Sequence, residues 1–541
     1  MLRHVITLLQ EIDIALKVST SQLITLYMRL ITTCILICLA GQDGFCAKIL
    51  GLFPVPGKSH LSVTSSVMHG LAKKGHDVTI FVPFSTGFNA SNYREIIYDI
   101  TRLTPANFDM MDFVNANFLR AQLALFQIGI RSTEAAVKSP EAQALIRSEE
   151  KYDVIVMEQF VNEAFIVFVQ KFKCPVVLIS TFGTTSTLNR IFGNSAPWSY
   201  VPSEFLWFTD RMTLLERLQN ALAIIYVDVL RKYYYMPEQQ ALAEKYFGDS
   251  GVEITDLEET ERQANFVLIN THPAFSTPRP YMANMKNVAG MHIKPNKPLP
   301  LDLQRYIDSS KNGVILFSLG SAMQSILIPE HLTQALKGAF ERLPFDILWK
   351  WENDTMTNKP KNVRIGKWLP QNDILAHPNV KLFITHGGIS STMETVHHGV
   401  PVVGIPLFGD QKLNINLARA KGFAEKLDFS TMTEDDIYNT ISKVANDPKY
   451  IRNIQKVSAY WKDEMNHPLD QAIHWVEYVM KHDGANHLKA AVTEQNFVQY
   501  FLLDVIFIII ATLAMIIFAM HQALRLMCKR SKPNAKSKKT D

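Results

Sequence analysis

Short apolar runs rich in Val, Ile, Leu and Phe recur along this chain, separated by longer stretches with helical spacing. The first half holds AKILGLFPV, HDVTIFVPF, YDVIVMEQF and CPVVLISTF; the second holds GVILFSLGS, FDILWKW, VRIGKWL, VKLFITH and PVVGIPL. These runs are continuous rather than alternating, as strands buried on both faces are, and their alternation with helices predicts parallel sheets. Between the halves, TPRPYMANMKNVAGMHIKPNKPLP is rich in Pro and polar residues and reads as a linker. The pattern predicts an α/β chain of two Rossmann-like domains facing a cleft, over 47–280 and 281–498. The second ends in a mostly helical stretch, Asp447 to Phe497, that carries Trp461 and Trp475.

Both ends depart from this alternation. FLLDVIFIIIATLAMIIFAM, Phe501 to Met520, is long enough to cross a bilayer, so 499–521 is assigned a transmembrane helix. Arg525, Lys529, Arg530, Lys532, Lys536, Lys538 and Lys539 follow in the tail 522–541, which the positive-inside rule places in the cytosol. The body is then lumenal. The ending KKTD resembles the dilysine address of endoplasmic-reticulum membrane proteins. Near the start, Arg29 precedes LITTCILICLAG, an apolar segment of signal-peptide type, so 28–46 reads as a signal peptide and 1–27 as an amino-terminal extension. Cys174 is the one lumenal cysteine left after cleavage at Cys46, so an oxidising compartment implies no disulfide. Asn89 in NAS and Asn353 in NDT are glycosylation acceptors on that side.

Composition narrows the class. At 541 residues, 47% hydrophobic and 20% charged, the chain is globular. Its net charge of +4 is small and much of it lies in the tail, which indicates no nucleic-acid surface.

The most chemically specific stretch is WLPQNDILAHPNVKLFITHGGISSTMETVHHGVPVVGIPLFGDQKLNIN, from Trp368 to Asn416. A strand, a Gly387-Gly388 turn and a helix start with Ser and Thr at capping positions present backbone N–H groups and a positive helix end to a phosphate. A second strand ends at Gly409, Asp410 and Gln411. Ligands of open parallel sheets sit beyond the carboxyl ends of strands, so His386, Glu394, Asp410 and Gln411 are expected around one crevice.

This segment resembles the signature of the membrane-bound UDP-glycosyltransferases, the UDP-glucuronosyl- and UDP-glucosyltransferases, and the resemblance extends over most of the chain. It implies that Trp368 stacks on uracil, that Gln371 and Glu394 bind the ribose side, and that His386, Gly387 and Gly388 hold the diphosphate. It further implies that Asp410 and Gln411 bind sugar hydroxyls and that Ser321, in FSLGSAM, lies near the phosphates. Ser390 stands where many relatives have Asn. An indole face suits a flat base, and a carboxamide with a carboxylate can take both ribose hydroxyls.

His60 follows the first strand near a helix start, where the dipole disfavours the imidazolium and keeps the ring able to accept a proton. It matches the family's catalytic histidine. At the place of the family's partner Asp this chain has Glu158, a carboxylate on a longer arm. Asp153 stands at the other end of that strand, and His69 and His76 read as surface residues. The implied reaction is an inverting, metal-independent hexose transfer from a UDP-sugar, a co-substrate rather than a cofactor, to a small lipophilic acceptor. No acidic pair suited to a metal diphosphate site occurs, and the histidines lack metal spacing. The excess of apolar residues from Phe108 to Phe192 is consistent with a lipophilic acceptor site. FGDQ carries no added basic residue for a sugar carboxylate, which favours glucose over glucuronate. The rival reading is a non-catalytic, membrane-anchored UDP-sugar binder that lost turnover through the Asp-to-Glu change. A dinucleotide oxidoreductase fits less well, because no GxGxxG follows the first strand. The sequence leaves open whether the chain is a monomer or a homo-oligomer.

Overall fold

The structure is a computed structural model that describes residues 46–102, 114, 116–321 and 323–530, with Thr7, Gln10, Thr25 and Met28. The extension but for Thr7, Gln10 and Thr25, all of the signal segment but Met28 and Cys46, and the lysines beyond Arg530 lie outside the described residues.

Seven strands form the first sheet: β1 (Lys48–Leu52), β2 (Asp77–Val82), β3 (Tyr93–Ile97), β4 (Val154–Glu158), β5 (Val176–Ser180), β6 (Phe266–Ile269) and β7 (Met285–Asn287). Six form the second: β8 (Val314–Ser318), β9 (Asp346–Lys350), β10 (Val363–Gly366), β11 (Val380–Thr385), β12 (Val402–Gly404) and β13 (Ala424–Lys426). All neighbouring strands pair in parallel, in the orders β3-β2-β1-β4-β5-β6-β7 and β10-β9-β8-β11-β12-β13. Each sheet winds outward in one direction and then in the other, so a crevice opens at its carboxyl edge between β1 and β4, and between β8 and β11. Helices cover both faces, and β4, β5 and β8 are buried along their whole length.

Several boundaries differ from the sequence reading. β7 joins the edge of the first sheet, so that sheet extends past the boundary placed at 280/281 and takes in part of the proposed linker. β3 escapes the pattern because it is a half-exposed edge strand carrying Arg94 and Glu95; β13 escapes it because it has three residues. His76 is a correction: it is buried, lies 3.2 Å from the Ala47 amide through Nδ1 and 3.2 Å from Glu477 through Nε2. His69 is half-buried and stacks on Phe88, 4.4 Å between ring centroids.

The helix Pro468–Lys481 returns across the first domain. Its Trp475 stacks on Phe266 at 4.9 Å, and Ile473 packs into the groove left by Gly70 on the helix Lys58–Lys73. A Cβ at Gly70 would stand 2.4 Å from Ile473 Cδ1, so the absence of a side chain sets the approach of the two helices. The last helix, Leu503–Arg530, has 28 residues, about 42 Å at 1.5 Å per residue, and its apolar window buries nothing inside the protein. It is long and apolar enough to cross a membrane, and it runs further than the predicted 499–521.

The helix contact yields a stability test. Gly70→Ala alone is expected to lower the unfolding midpoint in urea, since overpacking costs about 1–3 kcal/mol against a helix-propensity gain of about 1 kcal/mol. Ile473→Val removes the obstructing Cδ1, so the double variant should be more stable than the sum of the two single changes. Strictly additive losses would place Ile473 elsewhere.

Candidate active site

His60 is the third residue of the helix that follows β1, Glu158 is the last residue of β4, and Thr181 comes directly after β5. Three neighbouring strand ends thus converge. His60 Nδ1 lies 2.5 Å from Glu158 Oε1 and 3.0 Å from Thr181 Oγ1, and Thr181 donates its hydroxyl to the same carboxylate oxygen at 2.8 Å. The longer arm of Glu158 therefore reaches the imidazole, and the carboxylate is 1% exposed. With Nδ1 engaged, Nε2 is the ring nitrogen available to a substrate. Phe160 and Phe182 pack on the ring at 5.0 and 6.5 Å. Thr181 was not a sequence candidate: one hydroxyl at the end of an apolar run carries no distinguishing signal. Asp153 accepts the Lys48 amide at the opposite end of β4.

The dipole argument for a depressed His60 is overruled. Burial lowers its pKa, but the charge of Glu158, its hydrogen bond and the charge of Asp410 together raise it above the ordinary value.

The facing crevice belongs to the second sheet. β11 ends at Thr385, His386 follows, Gly387 turns with φ +83°, and the helix Ile389–His398 begins after Gly388. The expected Ser or Thr cap is absent: Gly388 is the N-cap and no side chain caps the helix, which leaves first-turn N–H groups for an anion. His386 is wedged between two glycine backbones. A Cβ at Gly320 would stand 2.5 Å from its Cε1, and one at Gly388 2.6 Å from its Nε2. Burial, and then the positive charge of Lys350, pushes His386 down to about 4, so the ring is neutral and offers a hydrogen bond rather than a charge.

The other cradle residues line the same cleft, of about 670 Å³, together with His60. Trp368 is 73% exposed at its wall. Gln371 donates to Glu394 at 2.7 Å and to Ser391 at 3.0 Å, and burial pushes the Glu394 carboxyl up to about 7. Ser321 is exposed on the turn after β8, and Ser390 lies in the first turn of the helix, its carbonyl 3.3 Å from His292 Nε2. Asp410 accepts from Asn414 at 2.8 Å. Gln411 commits its carbonyl oxygen to the amides of Leu407 and Phe408, leaving its NH2 for a ligand.

Lys350, at the end of β9, is a cleft residue that the sequence reading missed. Its Nζ donates to the Gly320 carbonyl at 2.8 Å and to Glu352 at 2.9 Å, while Glu352 also accepts the Ile326 amide at 3.3 Å. One ion pair thereby ties down both ends of the loop that carries Ser321. The apolar excess before Phe192 has mostly another purpose: Phe126, Phe165, Phe168 and Phe192 are buried in the core, and Phe160 and Phe182 are what it contributes beside His60. Phe108 lies outside the described residues. Asn89 and Asn353 are both exposed.

The family model described as "UDP-glucoronosyl and UDP-glucosyl transferase" matches residues 47–539. "UDP-glycosyltransferase UGT5" of Dactylopius coccus is 34% identical over 90% of this chain and 93% of its own length. "UDP-glucuronosyltransferase 2B17" of Homo sapiens is 32% identical over 92% and 97%. Among solved structures, TcCGT1 in complex with UDP matches with a TM-score of 0.53 at 16% identity, over 81% of this chain and all of that one. The calicheamicin glycosyltransferase CalG4 matches with 0.55 at 16%, over 81% and 99%. The fold is thus that of two-domain glycosyltransferases, and the chain is an enzyme of the UDP-glycosyltransferase family.

Proposed function

We propose that the enzyme transfers glucose, or alternatively glucuronate, from its UDP conjugate to a hydroxyl of a small lipophilic acceptor, with inversion and with no metal or resident cofactor. The observation that carries this reading is the Glu158 carboxylate 2.5 Å from His60 Nδ1, in a cleft whose other wall is the uncapped glycine turn. Uracil lies on Trp368, the ribose hydroxyls on Gln371 and Glu394, and the diphosphate on Ser321, Ser390 and the Gly387-Gly388 turn. Asp410 and Gln411 hold the sugar. Lys350 is already committed to Glu352, which supports glucose.

In the reaction His60 Nε2 takes the acceptor proton as the acceptor oxygen attacks the anomeric carbon, opposite the departing UDP. The bond from that carbon to the diphosphate oxygen breaks. The turn N–H groups and His386 stabilise the charge that develops there, and Glu158 stabilises the new imidazolium. The short His60–Glu158 contact supports turnover over a binder that has lost catalysis. The basic residues that follow the apolar helix and the exposed sequons before it support a lumenal body anchored in the endoplasmic-reticulum membrane. Release of labelled sugar to a panel of phenols tests the reading, and a wild-type protein that binds UDP but transfers nothing would leave the binder.

For the cradle, Trp368→Ala, His386→Ala and Glu394→Ala should each weaken UDP binding in calorimetry, by about 1 kcal/mol or more for the loss of a stacking face or hydrogen bond. Unchanged affinity in all three would contradict the donor site.

For the base, Glu158→Gln should lower kcat by about ten-fold or more with little change in KM for the UDP-sugar, and Glu158→Asp should retain part of the activity. The neutral imidazole is the active form, so activity falls as pH drops through the His60 pKa. Because Glu158 raises that pKa, the acid limb of kcat/KM should lie above about 6.5 in the wild type and move down in Glu158→Gln. An acid limb indifferent to Glu158 would assign it a structural role.

A further inference from the structure

The cleft at His60 does not end at the sugar site. Phe182, Ile389 and Asp410 also line a narrow cavity of about 50 Å³, whose far wall is made by Thr184, Pro202 and Glu204. Those last three residues also line an outer cavity of about 520 Å³. Its wall includes Trp198, Ile224, Val492, Tyr500 and Phe501, and the last two stand just before the helix Leu503–Arg530. The three cavities therefore form one series from the catalytic histidine to the foot of the span.

The surface beside the outer cavity matches that destination. The helix Leu214–Leu230 turns Ile224 into the cavity and exposes Leu218, Leu222, Ile225 and Val229, at steps of four, three and four residues. Lys232 and Tyr233, three and four residues beyond Val229, are exposed along the same side. An apolar stripe edged by basic and aromatic residues suits the boundary of headgroups and acyl chains, and Trp198, 44% exposed, suits the same depth. The Trp198 carbonyl accepts from buried Asn220 of this helix at 2.9 Å, which fastens the mouth of the cavity to the helix that carries the stripe.

We propose that an acceptor dissolved in the bilayer enters the outer cavity at the foot of the span and passes the constriction to reach His60. This rests on the transferase reading above and adds the route and the membrane-dissolved class of acceptor. The occupant of the exposed helix face is the lipid surface itself. The constriction has a polar element for a hydroxylated apolar molecule: Arg279 Nε is buried there without a hydrogen-bond partner and is free to donate to an acceptor oxygen. Burial also pushes the Glu204 carboxyl up to about 7, which reduces the charge of the wall at neutral pH. Water-soluble acceptors have another way in, the open cleft beside exposed Trp368.

Gly183 lines the constriction and a Cβ there would meet nothing within 4 Å, so Gly183→Phe fills the passage while leaving its immediate surroundings in place. Trp198→Lys alters the distant mouth. With the full chain in phosphatidylcholine vesicles, both variants should lower kcat/KM for membrane-dissolved para-nonylphenol by about ten-fold or more. Transfer to aqueous phenol and UDP binding should stay within about two-fold of the wild type. Equal losses with both acceptors, or no loss with either, would overturn the route. A change in oligomeric state with unchanged para-nonylphenol transfer would show that the helix face seats a second copy, and would also overturn it. Failure of the transferase reading is distinct, since the wild type would then transfer to neither acceptor.

Discussion

The organising constraint is the reversal of winding in each parallel sheet. Between β1 and β4, and again between β8 and β11, neighbouring strands send their chains to opposite faces, and no crossover fills the space at their carboxyl ends. His60 and Glu158 flank the first of these gaps, while Ser321 and His386 flank the second. The helix Pro468–Lys481, locked on Gly70 through Ile473, returns from the second domain to the first. The sheets thus supply the position of the chemistry before any individual side chain is considered.

Within that frame, environment divides labour between residues of one type. His60 and His386 both lie beyond the carboxyl end of a central strand, yet their proton affinities shift in opposite directions. A carboxylate beside the first outweighs burial, while a lysine near the second adds to it. The first is suited to gaining a proton during turnover, and the second to donating a hydrogen bond without titrating at neutral pH. Glu158 is buried to 1%, a costly place for a carboxylate, and the hydrogen bonds from His60 and Thr181 compensate it.

Much of this was legible in the sequence because two-sided burial writes continuous apolar runs. β1, β4, β8, β11 and β12 all announced themselves, and the two glycines after β11 marked the turn. The cradle residues could be named because a resemblance supplied their roles; spacing alone placed them at strand ends. Of the edge strands β10 was legible in VRIGKWL, whereas β3 is half exposed and carries charge, and β7 hides inside a Pro-rich stretch that reads as linker. Thr181 and Lys350 act through partners distant in sequence, Glu158 and the Gly320 carbonyl, and local pattern has no access to such pairings. His76 looked like a surface residue for the same reason: its cover comes from Glu477, far along the chain.

The proposed reaction is a direct displacement by one base facing one leaving group across the cleft. The configuration of the product tests it most directly. With UDP-α-glucose and a phenol acceptor, the anomeric proton in the NMR spectrum of the purified glycoside should report the β configuration, because a single attack opposite the diphosphate inverts the centre. An α-glycoside would require two displacements or attack from the diphosphate side, and would contradict the roles given to His60 and Glu158.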